Sequence, residues 1–153
     1  MSENYLRVIP SDPWWQPAPE AAGAAAHLVE ELLTSGGGTV DEVGVDHYDR
    51  VTIIDAGVNT SSMVCSACRF VSDESFLMDF IERHPDGLDR LDVWVPCCGA
   101  VVPITSLRFD WPIGFARFEV SARGPSQSWL TVEQLQQVEK VLGHPVYQVL
   151  AHY

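Results

Sequence analysis

Apolar and polar residues alternate or recur with clear periods at the two ends of the chain, and these patterns predict most of its elements. Residues 5–9, Tyr-Leu-Arg-Val-Ile, alternate and favour extended backbone, which predicts a first strand. Behind Pro19, a residue suited to the first turn of a helix, residues 20–34 place Ala25, Leu28, Val29, Leu32 and Leu33 on one helical face. Gly36-Gly37-Gly38 stops that helix. It precedes no Gly-Lys-Ser or Gly-Lys-Thr, so it is no phosphate-cradling loop. A strand is expected over residues 40–48, with Val43, Val45 and His47 on one face, and a separate short strand over 51–54.

The far end repeats this order. Ala116, Phe118, Val120 and Ala122 alternate with Arg117, Glu119 and Ser121, the signature of a strand with one face on a core. Thr131-Val132-Glu133-Gln134 has capping-box spacing, and Leu130 and Leu135 can staple the turn it opens. The helix that follows should bury Leu135, Val138, Val141 and Leu142, end at Gly143 and be barred from continuing by Pro145. Residues 146–151 close the chain as a strand. Two strand-helix-strand units that share one antiparallel sheet, both helices on one face, give an α+β protein with a ferredoxin-like split βαβ sheet. The expectation is one domain, residues 1–153, with residues 64–111 inserted between the halves. The alternative is a single mixed sheet whose outer edge is built by the inserted strands.

Within the insertion, Ser72 is expected to cap a helix with Asp73 and Glu74 in its first turn, and Phe76, Leu77, Phe80 and Ile81 form its apolar stripe. Pro85-Asp86-Gly87 breaks it, and residues 91–95 read as a strand. Earlier, residues 11–19 carry three prolines around Trp14-Trp15, a stiff loop whose tryptophans should pack on the domain.

The insertion holds all four cysteines of the chain: Cys65 and Cys68 in Cys-Ser-Ala-Cys, then Cys97 and Cys98 in Pro-Cys-Cys-Gly. Thiolates are soft, charged donors that select zinc over hard cations, and four of them close a tetrahedron with no place left for substrate. The expected site is therefore structural zinc (Zn2+) bound by Cys65, Cys68, Cys97 and Cys98, bracing a segment with little apolar surface of its own. Adjacent ligands need a kinked backbone, which Pro96 and Gly99 allow; His84 is the substitute should one of the pair not coordinate. A thioredoxin-like use of Cys65 and Cys68 would need a helix starting on the motif rather than later.

Composition narrows the partners. The chain of 153 residues is 46% hydrophobic and carries 21 Asp and Glu against 9 Lys and Arg, a net charge of −12. Residues 1–114 hold all of that excess. Nucleic-acid binding draws on basic side chains that displace counterions, so no nucleic-acid partner is expected, and the acidic face suits a basic protein partner. With no long apolar run and no basic-then-apolar N-terminus, no membrane partner is expected and the protein reads as cytoplasmic, where thiols stay reduced and bind metal rather than each other.

Together Cys-x-x-Cys, Pro-Cys-Cys-Gly and the stretch Trp111-Pro112-Ile113-Gly114-Phe115-Ala116-Arg117-Phe118 resemble a family of small bacterial zinc-ribbon-like proteins, some of which carry a sugar-transporter ATPase label. No Walker A loop stands in this chain to support such an activity. The resemblance implies a zinc-ribbon protein. Enzymatic signatures are missing: neither the His-x-Glu of zinc deaminases nor His-Glu-x-x-His is present. The expected function is a non-catalytic protein-interaction module of adaptor, inhibitor or immunity type. The alternative is a thiol-based redox or metal-responsive regulator using Cys97 and Cys98.

Overall fold

The computed structural model describes residues 3–153. The elements run β1 (Asn4–Pro10), α1 (Pro19–Thr34), β2 (Glu42–Ile54), β3 (Ser62–Val64), β4 (Val71–Asp73), α2 (Ser75–Arg83), β5 (Asp92–Trp94), β6 (Val101–Pro103), β7 (Arg108–Phe109), β8 (Gly114–Arg123), α3 (Val132–Leu142) and β9 (Val146–His152). Four of the strands form one antiparallel sheet in the order β2-β8-β1-β9. The two strand-helix-strand units therefore interleave, with β8 of the second unit between both strands of the first. The two strands expected near residues 40–54 are one: β2 continues through a register shift between His47 and Thr52, because β8 is long enough to pair with both halves.

Both long helices lie over one face. Leu6 and Val8 of β1 and Phe118, Val120 and Ala122 of β8 pack there with Ala22, Ala25, Val29 and Leu33 of α1 and Val138 and Leu142 of α3. Pro19 opens α1 without a side-chain cap, whereas α3 has the full capping box: Thr131 Oγ1 accepts from the Gln134 amide at 3.1 Å, and Gln134 Oε1 accepts from the Thr131 amide at 2.9 Å. Gly143 ends α3 at φ 76°, a left-handed conformation that glycine takes without strain. Val141 departs from the expected stripe. It lies on the solvent side of α3 because the helix meets the sheet along a narrower contact than its apolar residues suggest. In the proline-rich loop, Trp15 stacks on His144 with ring centres 4.3 Å apart, while Trp14 stays exposed.

The sheet's second face is divided. At one end Ile9, Phe115 and Val149 join a second apolar cluster with Met63, Phe76, Leu77, Phe80, Val93, Ile104 and Leu107, all from the segment between β2 and β8. The expectation of a single buried face on β8 is thus corrected: Phe115 and Glu119, on the opposite side from Phe118, are also buried. Toward the other end the face turns polar. Arg7 Nη1 donates to the Tyr153 hydroxyl at 2.8 Å, that hydroxyl donates to Asp55 Oδ1 at 2.9 Å, and Glu119 stands 3.8 Å from Arg7 Nε. Burial holds the Glu119 carboxyl above the usual range.

The segment between β2 and β8 builds its own small sheets, β4-β3-β7 and the β5-β6 hairpin, rather than extending the edge of the larger one. Ser72 does not cap α2. It sits in β4 opposite Met63, and Asp73 Oδ1 accepts from the Ser75 amide at 2.9 Å to start the helix two residues later. Residues that favour an N-cap also suit a strand's last positions when an acceptor points forward, and the pairing with β3 decides between them. Among the described residues no helix is long and apolar enough to cross a membrane.

Candidate metal centre

Two tight turns deliver the cysteines, and they have one backbone design. In the first, between β3 and β4, the Cys65 amide donates to the Phe70 carbonyl at 3.0 Å and the Arg69 amide donates to the Cys65 carbonyl at 3.0 Å. In the second, between β5 and β6, the Val95 amide donates to the Ala100 carbonyl at 2.9 Å and the Gly99 amide donates to the Val95 carbonyl at 2.8 Å. The penultimate residue of each turn is left-handed, Arg69 at φ 68° and Gly99 at φ 73°. Strand, turn and strand thus recur at a constant offset, residue 65 matching 95, 68 matching 98 and 69 matching 99. The recurrence escapes a search of the sequence because few side chains repeat.

This correspondence explains the adjacent cysteines. Cys98 stands where the first turn has Cys68, but the place of Cys65 is taken by Val95, which is fully buried. The fourth thiol comes from Cys97 instead, at the position of Ala67. All four Sγ atoms lie within 4.8 Å of one another, with Cys68 and Cys97 sulfurs 3.5 Å apart. Cys65 is buried and the other three are exposed, and none is in a disulfide. His84 is not brought to the cluster: its Nδ1 lies 2.9 Å from the Phe80 carbonyl oxygen and its ring packs on Phe80.

The electrostatics of the four thiols differ. Backbone amides of Cys68 and, less strongly, Ala67 point at Cys65 and lower its thiol to about 7 against the opposing effect of burial. Ala67 N lies 3.4 Å from that sulfur. Desolvation, reinforced by the neighbouring thiols of Cys68 and Cys65, pushes Cys97 up to about 12. Cys98 is also raised, the Ala100 amide working against burial and the other thiols. Cys68 Sγ donates to Cys97 Sγ at 3.5 Å, so thiol protons occupy the space between the sulfurs. A cation can replace those protons, so the cluster has the composition and spacing to hold a metal ion.

Asp110 fixes the first turn to the rest. Its carboxylate accepts from the amides of Ser61 and Ser62 at 2.9 and 3.0 Å and from the Ser61 hydroxyl, locking the start of β3 to the end of β7. Those donors, the Ser61 hydroxyl first, lower its pKa to about 2. Four side chains beside the first turn, Ser66, Arg69, Ser106 and Arg108, line a cleft that cysteine spacing gives no reason to expect. The signal available for it in the sequence is an arginine where the second turn has glycine. No family model, no curated protein and no solved structure matches the chain.

Proposed function

We propose that this is a non-catalytic protein-interaction module of adaptor, inhibitor or immunity type, whose structural zinc is bound by Cys65, Cys68, Cys97 and Cys98. The observation that carries it is the convergence of all four thiols from two like turns. Zinc–sulfur bonds near 2.3 Å put tetrahedral ligands about 3.8 Å apart, and the sulfur spacing here needs only small adjustments to reach that. Four protein ligands leave no open position for a substrate. The order β2-β8-β1-β9 supports a ferredoxin-like split βαβ sheet, with residues 64–111 as a zinc-ribbon-like insertion in one domain. That agrees with the family resemblance carried by the cysteine motifs and the Trp111 to Phe118 stretch.

The turns also bring apolar side chains to the surface. Trp94 and Val101 are cross-strand neighbours at the base of the second turn, 59% and 66% exposed, while Phe70 and Val71 beside the first are 59% and 60% exposed. Exposed aromatic and branched residues on a metal-braced support suit recognition of a protein, and the net charge of −12 favours a basic one. Alkylation of the native protein is the direct test. With zinc bound, all four thiols should resist iodoacetamide, and all four should react after chelation. A photo-crosslinking residue at position 94 should capture a partner that the same residue at exposed position 132 does not.

A second function has its own support, since Cys97 and Cys98 are exposed and Cys97 lies off the common turn register. A thiol-based redox or metal-responsive regulator would use that pair. Reaction of Cys97 or Cys98 before metal release would favour it over a purely structural site.

A further inference from the structure

Arg69 is the only residue other than glycine with a positive φ among the described residues. Its counterpart, Gly99, shows what the turn requires; a side chain there strains the backbone, and such strain persists where the side chain has work to do. The guanidinium forms no ion pair among the described residues, in a chain where carboxylates outnumber bases 21 to 9. Arg108, on β7 beside β3, forms none either. Both line one cleft of about 230 Å³ together with Ser66 and Ser106, whose hydroxyl oxygens lie 2.8 Å apart. Asp110, the carboxylate nearest in sequence to Arg108, is occupied by Ser61 and Ser62.

From this we infer an oxyanion site for the phosphate group of a small ligand, held by Arg69 and Arg108 beside the Ser66–Ser106 hydroxyl pair. Two planar guanidinium groups can each offer paired N–H donors, a set that matches a tetrahedral dianion better than a single carboxylate, while the Ser106 hydroxyl donates to the Pro103 carbonyl at 2.6 Å and the Ser66 hydroxyl to Ser106 Oγ, so the serines shape the wall of the cleft. The surrounding net charge of −12 repels extended polyanions, which limits the ligand to a small phosphate compound. The cleft volume suits a phosphate with a short substituent. Its wall includes Cys65, so ligand binding and metal binding meet at one turn, but the anion contacts do not depend on which metal the thiols hold.

The test uses the metal-loaded protein, titrated at constant ionic strength with inorganic phosphate and with glycerol phosphate, and reads the Nε resonances of Arg69 and Arg108 by NMR. Saturable shifts of both at millimolar concentration are expected, with the tighter of the two probes identifying free phosphate or a monoester as the source. Arg69→Gly should weaken binding at least about tenfold while leaving thermal stability unchanged or raised, and Arg108→Gln should weaken it similarly. Shifts reproduced by chloride, or phosphate affinity untouched by either substitution, would overturn the inference. So would lower metal affinity in both variants with no phosphate binding in the parent, which would make the arginines counterions to the thiolates.

Discussion

If the four thiols hold zinc as proposed, loss of one of them should open the inserted segment before the sheet. Cys97→Ser is the cleanest perturbation, since Cys97 is exposed and the swap removes a ligand without emptying core volume. Structural zinc sites contribute on the order of 10–16 kcal/mol of apparent binding energy, while whole domains are stable by about 5–15 kcal/mol. If one ligand in four carries even ~3 kcal/mol, local opening becomes about a hundredfold more frequent. The strands held this way are two or three residues long and cannot stand alone. Release would also bare Ile9, Phe115 and Val149, each worth roughly 1.5–3 kcal/mol of burial, so β1 and β8 should lose some protection too. Hydrogen exchange followed by mass spectrometry should show peptides spanning β3 to β7 accelerated by about two orders of magnitude or more. Peptides of β1, flanked by β8 and β9 and covered by α1, should change less. Equal acceleration everywhere would mean that the insertion and sheet unfold as one unit, and no acceleration would mean that Cys97 holds no structural metal.

Moving the fourth thiol to the matching turn position, Val95→Cys with Cys97→Ser, should restore one metal per chain in elemental analysis and recover most of the protection lost in Cys97→Ser alone. Metal affinity measured against a chromogenic chelator should climb steadily with pH, because the Cys97 thiol, pushed up to about 12, must surrender a proton on ligation at any physiological pH. Cys65, lowered to about 7, adds to that slope only below neutrality. Asp110→Asn should lower the melting temperature by a few degrees at neutral pH; the carboxylate's contribution exists above its unfolded pKa near ~4 and is lost as pH falls toward about 2, so the difference between parent and variant should vanish in acid. Gly57→Ala should cost more than ~1 kcal/mol in urea denaturation, since position 57 has φ 61° and a Cβ would run into the His152 carbonyl at the bridge between these residues.

The parts of the fold written in short-range periodicity were legible. α3 could be placed from Thr131 to Gly143 because cap, stripe and stop are all local. The four thiols were legible as a set because no other soft donors compete. What failed depended on distant partners. Nothing near Ser72 says that Met63 will pair with it, so a strand ending in Asp73 looked like a helix start. Glu119 looked solvent-facing because Arg7, Tyr48 and Asp55, which stand against it, lie far from it in the sequence, and the side chains that cover Phe115 come from the segment between β2 and β8. The joint between His47 and Thr52 looked like two strands because polar Asp49 and Arg50 interrupt the alternation, while β8 pairs on both sides of them. The likeness of the two turns resides in amide-to-carbonyl bonds rather than side chains, so the shift from Val95 to Cys97 was invisible before those bonds were seen.

Ile54, the last residue of β2, pairs with Gly114, the first of β8. Everything between them leaves and returns on one rung of the sheet, as the loop of a hairpin does. Gly114 makes that return possible, because the space its Cβ would take is filled by Ile9 Cδ1 and the Tyr147 hydroxyl. Loop closure costs only about 0.6 kcal/mol for each doubling of length, so growing a short hairpin loop into this segment, roughly four doublings, adds ~2 kcal/mol. A metal held by the four thiols as proposed would offset that several times over, most of its effect going to ordering the segment itself. The rung at Ile54 therefore separates two jobs: the strand-helix-strand units keep the ends of the segment together, and a metal held by the four thiols as proposed would give the segment its shape. Arg69, Phe70, Trp94 and Val101 stand outside the cluster that joins the segment to the sheet, so changes to those four side chains should alter what the surface recognises while leaving β1, β8 and both long helices as they are.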